Sequence, residues 1–195
     1  ALGQAMGLCF IWGIIVGVVA WFLAPGMAQL CGLQGEAAGY LIDYVRVLSL
    51  SMPFTGLMMV GAMCLVGAGE TIRPAAIAIV VNVVNVVSSW LLSGAELHLP
   101  GFILPDVLGL DYAVGGIAAG TAIGYCVGGL LTVWVLSRGV RDLRLRFSLV
   151  RPIRSMITRV MRVGIPNFFE GISMWSANLG VLTIIGFIAD RQMQV

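Results

Sequence analysis

The stretch RGVRDLRLRFSLVRPIRSMITRVMR, residues 138–162, decides how this chain folds. It holds eight of the eleven basic residues of the 195-residue chain, and all eleven are Arg. The sequence on both sides of it consists of long apolar runs with almost no charge. A basic segment between apolar runs of membrane length predicts a polytopic membrane protein whose basic loop stays on the cytoplasmic side.

Composition supports a lipid solvent. The chain is 59% hydrophobic and 10% charged, whereas soluble domains carry roughly 25% charged residues. Its mean hydropathy is +1.02. The Arg cluster contains a single aromatic residue, Phe147, and no interleaved aromatic pattern, so we expect contact with lipid headgroups and no nucleic-acid partner. The lipid bilayer is therefore the first predicted partner of this chain.

Five apolar segments are long enough to span a membrane, which predicts an all-α polytopic membrane protein. At 1.5 Å per residue each covers roughly 30 Å, the thickness of the hydrocarbon core. The first is expected to stop at Pro25-Gly26. The residues between the third and fourth are expected to form an outer loop, rich in Gly and Pro, with His98 as a solvated residue. The segments are residues 6–24, 37–66, 72–92, 112–136 and 165–189.

Orientation follows from the positions of Arg. With residues 138–163 inside, alternation of the spans also places Arg73 inside, which leaves Arg46 and Arg191 outside. This orientation obeys the positive-inside tendency. We therefore expect a multi-pass protein of the inner membrane with a cytoplasmic basic loop. Asp43 and Arg46, three residues apart, are expected to pair on one helical face.

The third span contains Asn82 and Asn85 on one helical face, followed by Ser89. Amides within lipid must find partners. Two interpretations stay open: the amides hold helices together, or they line a polar cavity that binds a cation or a proton-bearing group.

The fourth span contains four glycines at intervals of four residues: Gly116, Gly120, Gly124 and Gly128. Positions four apart share a helix face, so this glycine strip predicts close packing against another helix.

Glu170 is the one carboxylate deep within an apolar run, about a turn after Pro166. Such a group is costly unless it faces a wet cavity or takes up a proton, as in a proton-coupled carrier. The alternative is a carboxylate at the membrane surface near the basic loop.

Enzyme signatures are missing from the sequence. It contains no H-E-x-x-H, G-x-S-x-G, P-loop or dinucleotide-binding motif. Its four cysteines form neither a C-x-x-C pair nor a metal-ligand spacing. We therefore predict no enzymatic activity, no metal site and no cofactor.

The order of several motifs resembles the multidrug and toxic compound extrusion (MATE) transporters. Residues 67–74, GAGETIRP, are similar to a G-x-G-[DE]-T-R-x-P-like turn of that family. The Asn-rich helix with Asn82 and Asn85 follows, then the helix opened by residues 115–121, GGIAAGT, the basic loop, and Gly164-Ile165-Pro166.

The resemblance implies the third to seventh helices of a twelve-helix carrier built from two six-helix bundles. Residues 1–137 would then belong to the N-terminal bundle, residues 138–163 would be a basic linker with an amphipathic helix, and residues 164–195 would open the C-terminal bundle. The chain starts at Ala1, and we expect it to be a piece of a longer protein whose remaining helices are its partners.

The same resemblance implies a set of site residues. Asn85 matches an Asn of the fifth helix in the proton-linked branch of the family, and Thr121 matches a Thr of the sixth. Ser89 stands where that branch has an Asp. Glu170 corresponds loosely to a Glu of the sodium-linked branch, which lies about one turn deeper. With Asn82, these form the predicted cation or substrate cavity.

The function implied is secondary antiport, the export of amphipathic or cationic drugs and toxins in exchange for H⁺ or Na⁺ by alternating access. A flippase for lipid-linked saccharides or peptidoglycan precursors, from the same superfamily, is the alternative. A membrane scaffold or anchor without transport is a third, less favoured because a scaffold does not need polar groups at membrane depth.

Overall fold

The computed structural model describes residues 2–94, 97–99, 102–104, 113–140, 145, 158, 162, 164–166, 169–171, 173–174 and 176–177. The chain divides into two compact units, Ala1–Arg151 and Pro152–Val195. The first unit contains four long helices, each apolar enough to cross a membrane. They are α1 (Leu2–Leu30), α2 (Glu36–Gly67), α3 (Ile72–Ser93) and α4 (Ala113–Arg138).

The fifth predicted span lies largely outside the described residues. The described residues between 164 and 177 are helical and belong to the second unit. Because that unit is separate, the fold described below is that of the first unit alone. Its helical character agrees with the predicted all-α class, and the four predicted spans match α1 to α4.

The helix α1 continues through Pro25 to Leu30, so the prediction that it stops at Pro25-Gly26 is wrong. A proline within a helix lacks one N–H and leaves the carbonyl four residues earlier, that of Trp21, without its helical donor. In membrane helices such breaks are tolerated because neighbouring groups satisfy the freed carbonyl. One lost bond does not end a helix of 29 residues.

The loop between α3 and α4 contains regular structure that the sequence analysis does not predict. It contains two short antiparallel strands, β1 (Leu97–Leu99) and β2 (Phe102–Leu104). Leu97 lies opposite Leu104, and Leu99 lies opposite Phe102. Two short strands of mainly apolar residues, separated by two residues that include a glycine, are typical of a tight β-hairpin.

The four helices pack in the order α1, α2, α4, α3. The approach of Gly13 to Pro53 and of Gly56 to Cys9 makes α1 and α2 antiparallel. Along α2 and α4 the residue numbers rise together, since Gly129 meets Phe54 and Gly61 meets Thr132. These two helices are therefore parallel, and α4 lies between α2 and α3.

The bundle has two ends, which we name by what they carry. The basic end is where α2 and α4 end, at Gly67 and Arg138, and the hairpin end is where α1 and α3 end. The cluster of buried apolar side chains lies at the basic end. Its members are Met6, Leu57, Leu65, Leu136, Val140 and Leu145.

Two described residues of the basic stretch, Val140 and Leu145, belong to this core. Gly139 has a φ of 85°, in the left-handed region that ends many helices. Val140 is buried, and the N–H of Leu145 donates to the carbonyl of Leu136 at 2.8 Å. Val140 and Leu145 therefore close the basic end of the bundle with apolar contacts.

The predicted pair of Asp43 and Arg46 does not form. Asp43 is exposed, and the Arg46 guanidinium carbon lies 5.5 Å from the centroid of the Trp21 ring on α1. Guanidinium groups stack on aromatic faces through electrostatic attraction to the ring quadrupole. The helix packing brings Trp21 to Arg46, which sequence spacing within α2 could not reveal.

Large apolar side chains cover the outside of the bundle. Phe22, Met63 and Ile72 are each at least 75% exposed. A soluble monomer rarely exposes contiguous apolar surface of this kind, whereas lipid tails solvate it at no cost. The surface therefore fits a lipid solvent, as the composition predicted.

Candidate functional site

The glycine strip on α4 forms the contact with α3, which confirms the predicted close packing. A Cβ added to Gly120 would lie 2.6 Å from the Cα of Ser89, and one added to Gly124 would lie 3.3 Å from the Cβ of Asn85. Gly116 meets the backbone of Leu92. Because the α4 backbone comes this near to α3, short polar side chains on the two helices can reach each other directly.

Asn85 and Thr121 are in direct contact across this interface. The Asn85 Nδ2 donates a hydrogen bond to the Thr121 Oγ1 at 2.9 Å. The Thr121 hydroxyl in turn donates to the carbonyl of Ile117, one turn earlier on α4, at 3.0 Å. A hydroxyl has a single hydrogen, so this donation orients the Thr121 oxygen to accept from Asn85.

Ser89 joins the same network one turn further along α3. Its Oγ donates to the carbonyl of Ile117 at 3.3 Å. The Ile117 carbonyl thus accepts from both Ser89 and Thr121, and Asn85 reaches it through Thr121. We call Asn85, Ser89, Thr121 and the Ile117 carbonyl the α3–α4 polar network. Asn85, Ser89 and Thr121 are half-buried.

The backbone member of the network was missed by sequence analysis. Ile117 is an ordinary apolar residue, and its contribution is a carbonyl oxygen. No side-chain pattern signals which carbonyl of a helix receives additional donors. The available signal was indirect: Ile117 lies four residues before Thr121, the distance at which a threonine hydroxyl bonds its own helix.

Asn82 and Glu170 are the other two predicted site residues, and Asn82 makes its hydrogen bond outside this network. Asn82 is exposed, and its Nδ2 donates to the Ala78 carbonyl of its own helix at 2.9 Å. Glu170 is an exposed residue of the second unit. Their part in a cation or substrate cavity stays a prediction.

Within the described ranges, no group of three or more His, Cys, Asp and Glu residues could hold a metal ion. Cys9, Cys31, Cys64 and Cys126 are free thiols. The oxygen atoms of the α3–α4 polar network are hydroxyl, amide and carbonyl oxygens, which are ligands for hard cations rather than for zinc or copper.

Residues 1–91 match the family model MatE. Among curated proteins, the multidrug export protein MepA of Staphylococcus saprophyticus is 28% identical over 164 residues, which are 83% of this chain and 33% of that protein. MepA of Staphylococcus haemolyticus is 26% identical over 169 residues, 87% of this chain and 34% of that protein. The chain thus spans about a third of the length of these relatives.

A solved structure shares the fold. It is described as the inward-facing conformation of a multidrug resistance MATE family transporter of the MOP superfamily. The TM-score is 0.59 at 21% sequence identity, with 85% of this chain and 40% of that chain covered. Residues 1–91 are thus similar in sequence to the MatE family, and the described fold is similar to that of a MATE family transporter.

Proposed function

We propose that the intact protein is a secondary active antiporter of the inner membrane, which exports amphipathic or cationic drugs and toxins in exchange for H⁺ or Na⁺ by alternating access. In this proposal the α3–α4 polar network forms part of the cavity for the coupling ion and the substrate. The observation that carries it is the hydrogen bond from Asn85 to Thr121 between two membrane-spanning helices.

Packing alone does not require these polar groups. The glycine strip already brings α4 within contact of the α3 backbone, which is sufficient for helix association in lipid. Polar side chains at membrane depth are costly, and those that face other helices also line ion and substrate pathways. Asn85 and Thr121 meet near Gly124, the glycine of the strip with the most space beside it. An amide and a hydroxyl at that place support a binding role.

The chemistry of the network bears on the coupling ion. Ser89 occupies the position at which the resemblance implies an aspartate, and a serine hydroxyl does not exchange its proton at physiological pH. The amide oxygen of Asn85 and the hydroxyl oxygen of Thr121 are neutral ligands that suit a hard cation such as Na⁺. If H⁺ is the coupling ion, the proposal assigns its transfer to Glu170.

The distribution of charge supports amphipathic substrates over lipid-linked saccharides. Binding the phosphates of a lipid-linked sugar calls for several positive groups within the helices. In α1 to α4 the charged residues are Glu36, Asp43, Arg46, Arg73 and Arg138. Three of them lie in the first or last turn of their helix, and none lies on the glycine strip.

The test is efflux by the intact protein in proteoliposomes loaded with ethidium, with a Na⁺ gradient and a pH gradient imposed separately. We expect one gradient to drive efflux and Asn85→Ala to slow it roughly tenfold, about 1.4 kcal/mol in activation free energy. Asn82→Ala is the matched control, an identical change one turn away on the same helix. Equal rates for the two variants and the unaltered protein would exclude the network from transport.

A second experiment isolates Glu170. In the intact protein, Glu170→Gln keeps the size of the side chain and removes its ability to carry a proton. If H⁺ is exchanged, we expect the variant to lose the pH dependence of efflux. A Na⁺-driven rate that is unchanged by this substitution, together with a Na⁺-driven rate that falls for Asn85→Ala, would assign coupling to the network without Glu170.

A further inference from the structure

A groove runs along the outside of the bundle between α1 and α2, remote from the α3–α4 polar network. Its volume is about 300 Å³, the lower limit of ligand pockets in proteins. Trp21 and Phe22 of α1 and Leu50 and Pro53 of α2 form apolar walls, and Ser49 is a polar member of the lining. Phe22 is 76% exposed, so the groove opens to the surroundings of the bundle.

Arg46 lies at the rim of this groove. Its guanidinium stacks on Trp21, a wall residue, and its backbone carbonyl accepts from the Ser49 hydroxyl at 2.6 Å. The Arg46 Nε is buried and makes no hydrogen bond with the described residues. The enclosed Nε does not face an external anion, but the guanidinium keeps its positive charge, and a positive charge beside an apolar groove attracts an anion that carries an apolar tail. The planar donors of Arg match the oxygens of phosphate.

The position of Arg46 along α2 sets its depth. From Gly67, the last residue of α2, to Arg46 is 21 residues, a rise of roughly 31 Å, about the thickness of the hydrocarbon core. With Gly67 at one membrane surface, Arg46 lies near the other, where lipid phosphates are found. The groove extends from there toward the bilayer centre, because Ser49, Leu50 and Pro53 follow Arg46 on α2.

We propose that this groove binds an anionic phospholipid of the leaflet at the hairpin end, with the lipid phosphate on the Arg46 guanidinium and an acyl chain along Trp21, Phe22 and Leu50. Charge complementarity selects the occupant. A zwitterionic lipid brings a cationic group to the same place, whereas an anionic lipid such as phosphatidylglycerol brings net negative charge. This site is independent of the proposed transport function.

The experiment uses Trp21 as the reporter, since bromine atoms on lipid acyl chains quench tryptophan on contact. The intact protein is placed in two sets of vesicles of identical composition, phosphatidylcholine with phosphatidylglycerol. In the first set the phosphatidylglycerol carries bromine. In the second set bromine is carried instead by the same mole fraction of phosphatidylcholine. Subtracting the signal of a Trp21→Phe variant isolates the Trp21 component.

We expect brominated phosphatidylglycerol to occupy the groove about fivefold more strongly than brominated phosphatidylcholine, or about 1 kcal/mol for one Arg at the membrane surface. Arg46→Gln should abolish the preference, and Arg46→Lys should keep most of it. Arg138→Gln is the matched control, since Arg138 stacks on Trp134 at the basic end with a separation of 4.3 Å.

Two results overturn the proposal. Equal quenching of Trp21 by the two brominated lipids means that the groove contacts lipid without selecting charge. Absence of quenching by both means that another part of the protein covers the groove. Both results are read on the protein with Arg46 in place, so the test stands even where a variant fails to fold.

Discussion

The α1–α2 contact and the α3–α4 contact use the same small-residue packing, but their polar side chains behave differently. Gly13 approaches the backbone at Pro53 on one side, and Gly120 approaches the backbone at Ser89 on the other. In the first contact, the Ser49 hydroxyl donates to a carbonyl of its own helix. In the second, Asn85 and Ser89 donate across to α4. Glycine packing joins helices, and donors that cross between them mark the candidate site.

The largest loss of stability is expected at the feature that the two contacts share, a glycine packed against the backbone of the neighbouring helix. Gly13→Ala and Gly120→Ala each place a Cβ 2.6 Å from a backbone Cα, so each should destabilise the bundle by about 1–3 kcal/mol. Gly115→Ala is the control, since a Cβ there meets nothing within 4 Å. Thermal unfolding of the intact protein in detergent measures all three. A loss for Gly115→Ala as large as that for Gly120→Ala would contradict the close packing of α3 and α4.

A smaller effect is expected for the hydrogen bond from Asn85 to Thr121, which crosses between helices in the α3–α4 contact. A double-mutant cycle of Asn85→Ala with Thr121→Val should give a coupling free energy near the average of about 0.6 kcal/mol for hydrogen bonds between membrane helices. The control cycle pairs Asn85→Ala with Thr132→Val, because Thr132 donates to Gly128 of its own helix. It should show additive effects. Zero coupling in the first cycle would mean that the contact between Asn85 and Thr121 adds nothing to stability.

The smallest effect concerns the two serines. Ser89→Ala removes a long, 3.3 Å bond across the interface and should cost a few tenths of a kcal/mol, roughly the lower limit for a hydrogen bond. Ser49→Ala removes a bond within one helix, and serine hydroxyls that bond their own helix compete with its backbone. Its stability should be unchanged or slightly higher. The same unfolding assay measures both variants. A larger loss of stability for Ser49→Ala than for Ser89→Ala would contradict the distinction between the α1–α2 and α3–α4 contacts.

Periodicity in the sequence predicted much of the fold because lipid leaves few alternatives. Apolar runs of sufficient length must be helices, and the boundaries of α2, α3 and α4 lie within two residues of the predicted spans. The glycine strip on α4 was readable from its interval of four. Gly13 and Gly17 on α1 share that interval and pack equally closely against α2, a signal that was present and unused.

The side-chain contacts that the sequence could not predict are those that depend on which helices are neighbours. Pairing Asn85 with Thr121 requires α3 beside α4 at one register, and sequence spacing describes each helix separately. Arg46 shows the same limit, since its partner Trp21 is on another helix and Asp43, nearer along the chain, is not in contact. Pro25 does not end α1, because a helix in lipid tolerates the one hydrogen bond that a proline removes.

The parallel contact of α2 with α4 has a consequence for how the bundle assembles. The α1–α2 and α3–α4 pairs are each formed by neighbours in the chain, so each can associate soon after its second helix enters the bilayer. The contact of Gly61 with Thr132 joins residues 71 positions apart and forms only after α4 has been inserted. The α1–α2 and α3–α4 pairs would therefore form first. The contact between α2 and α4 would then join the two pairs once α4, the last of the four helices to be synthesised, has entered the bilayer.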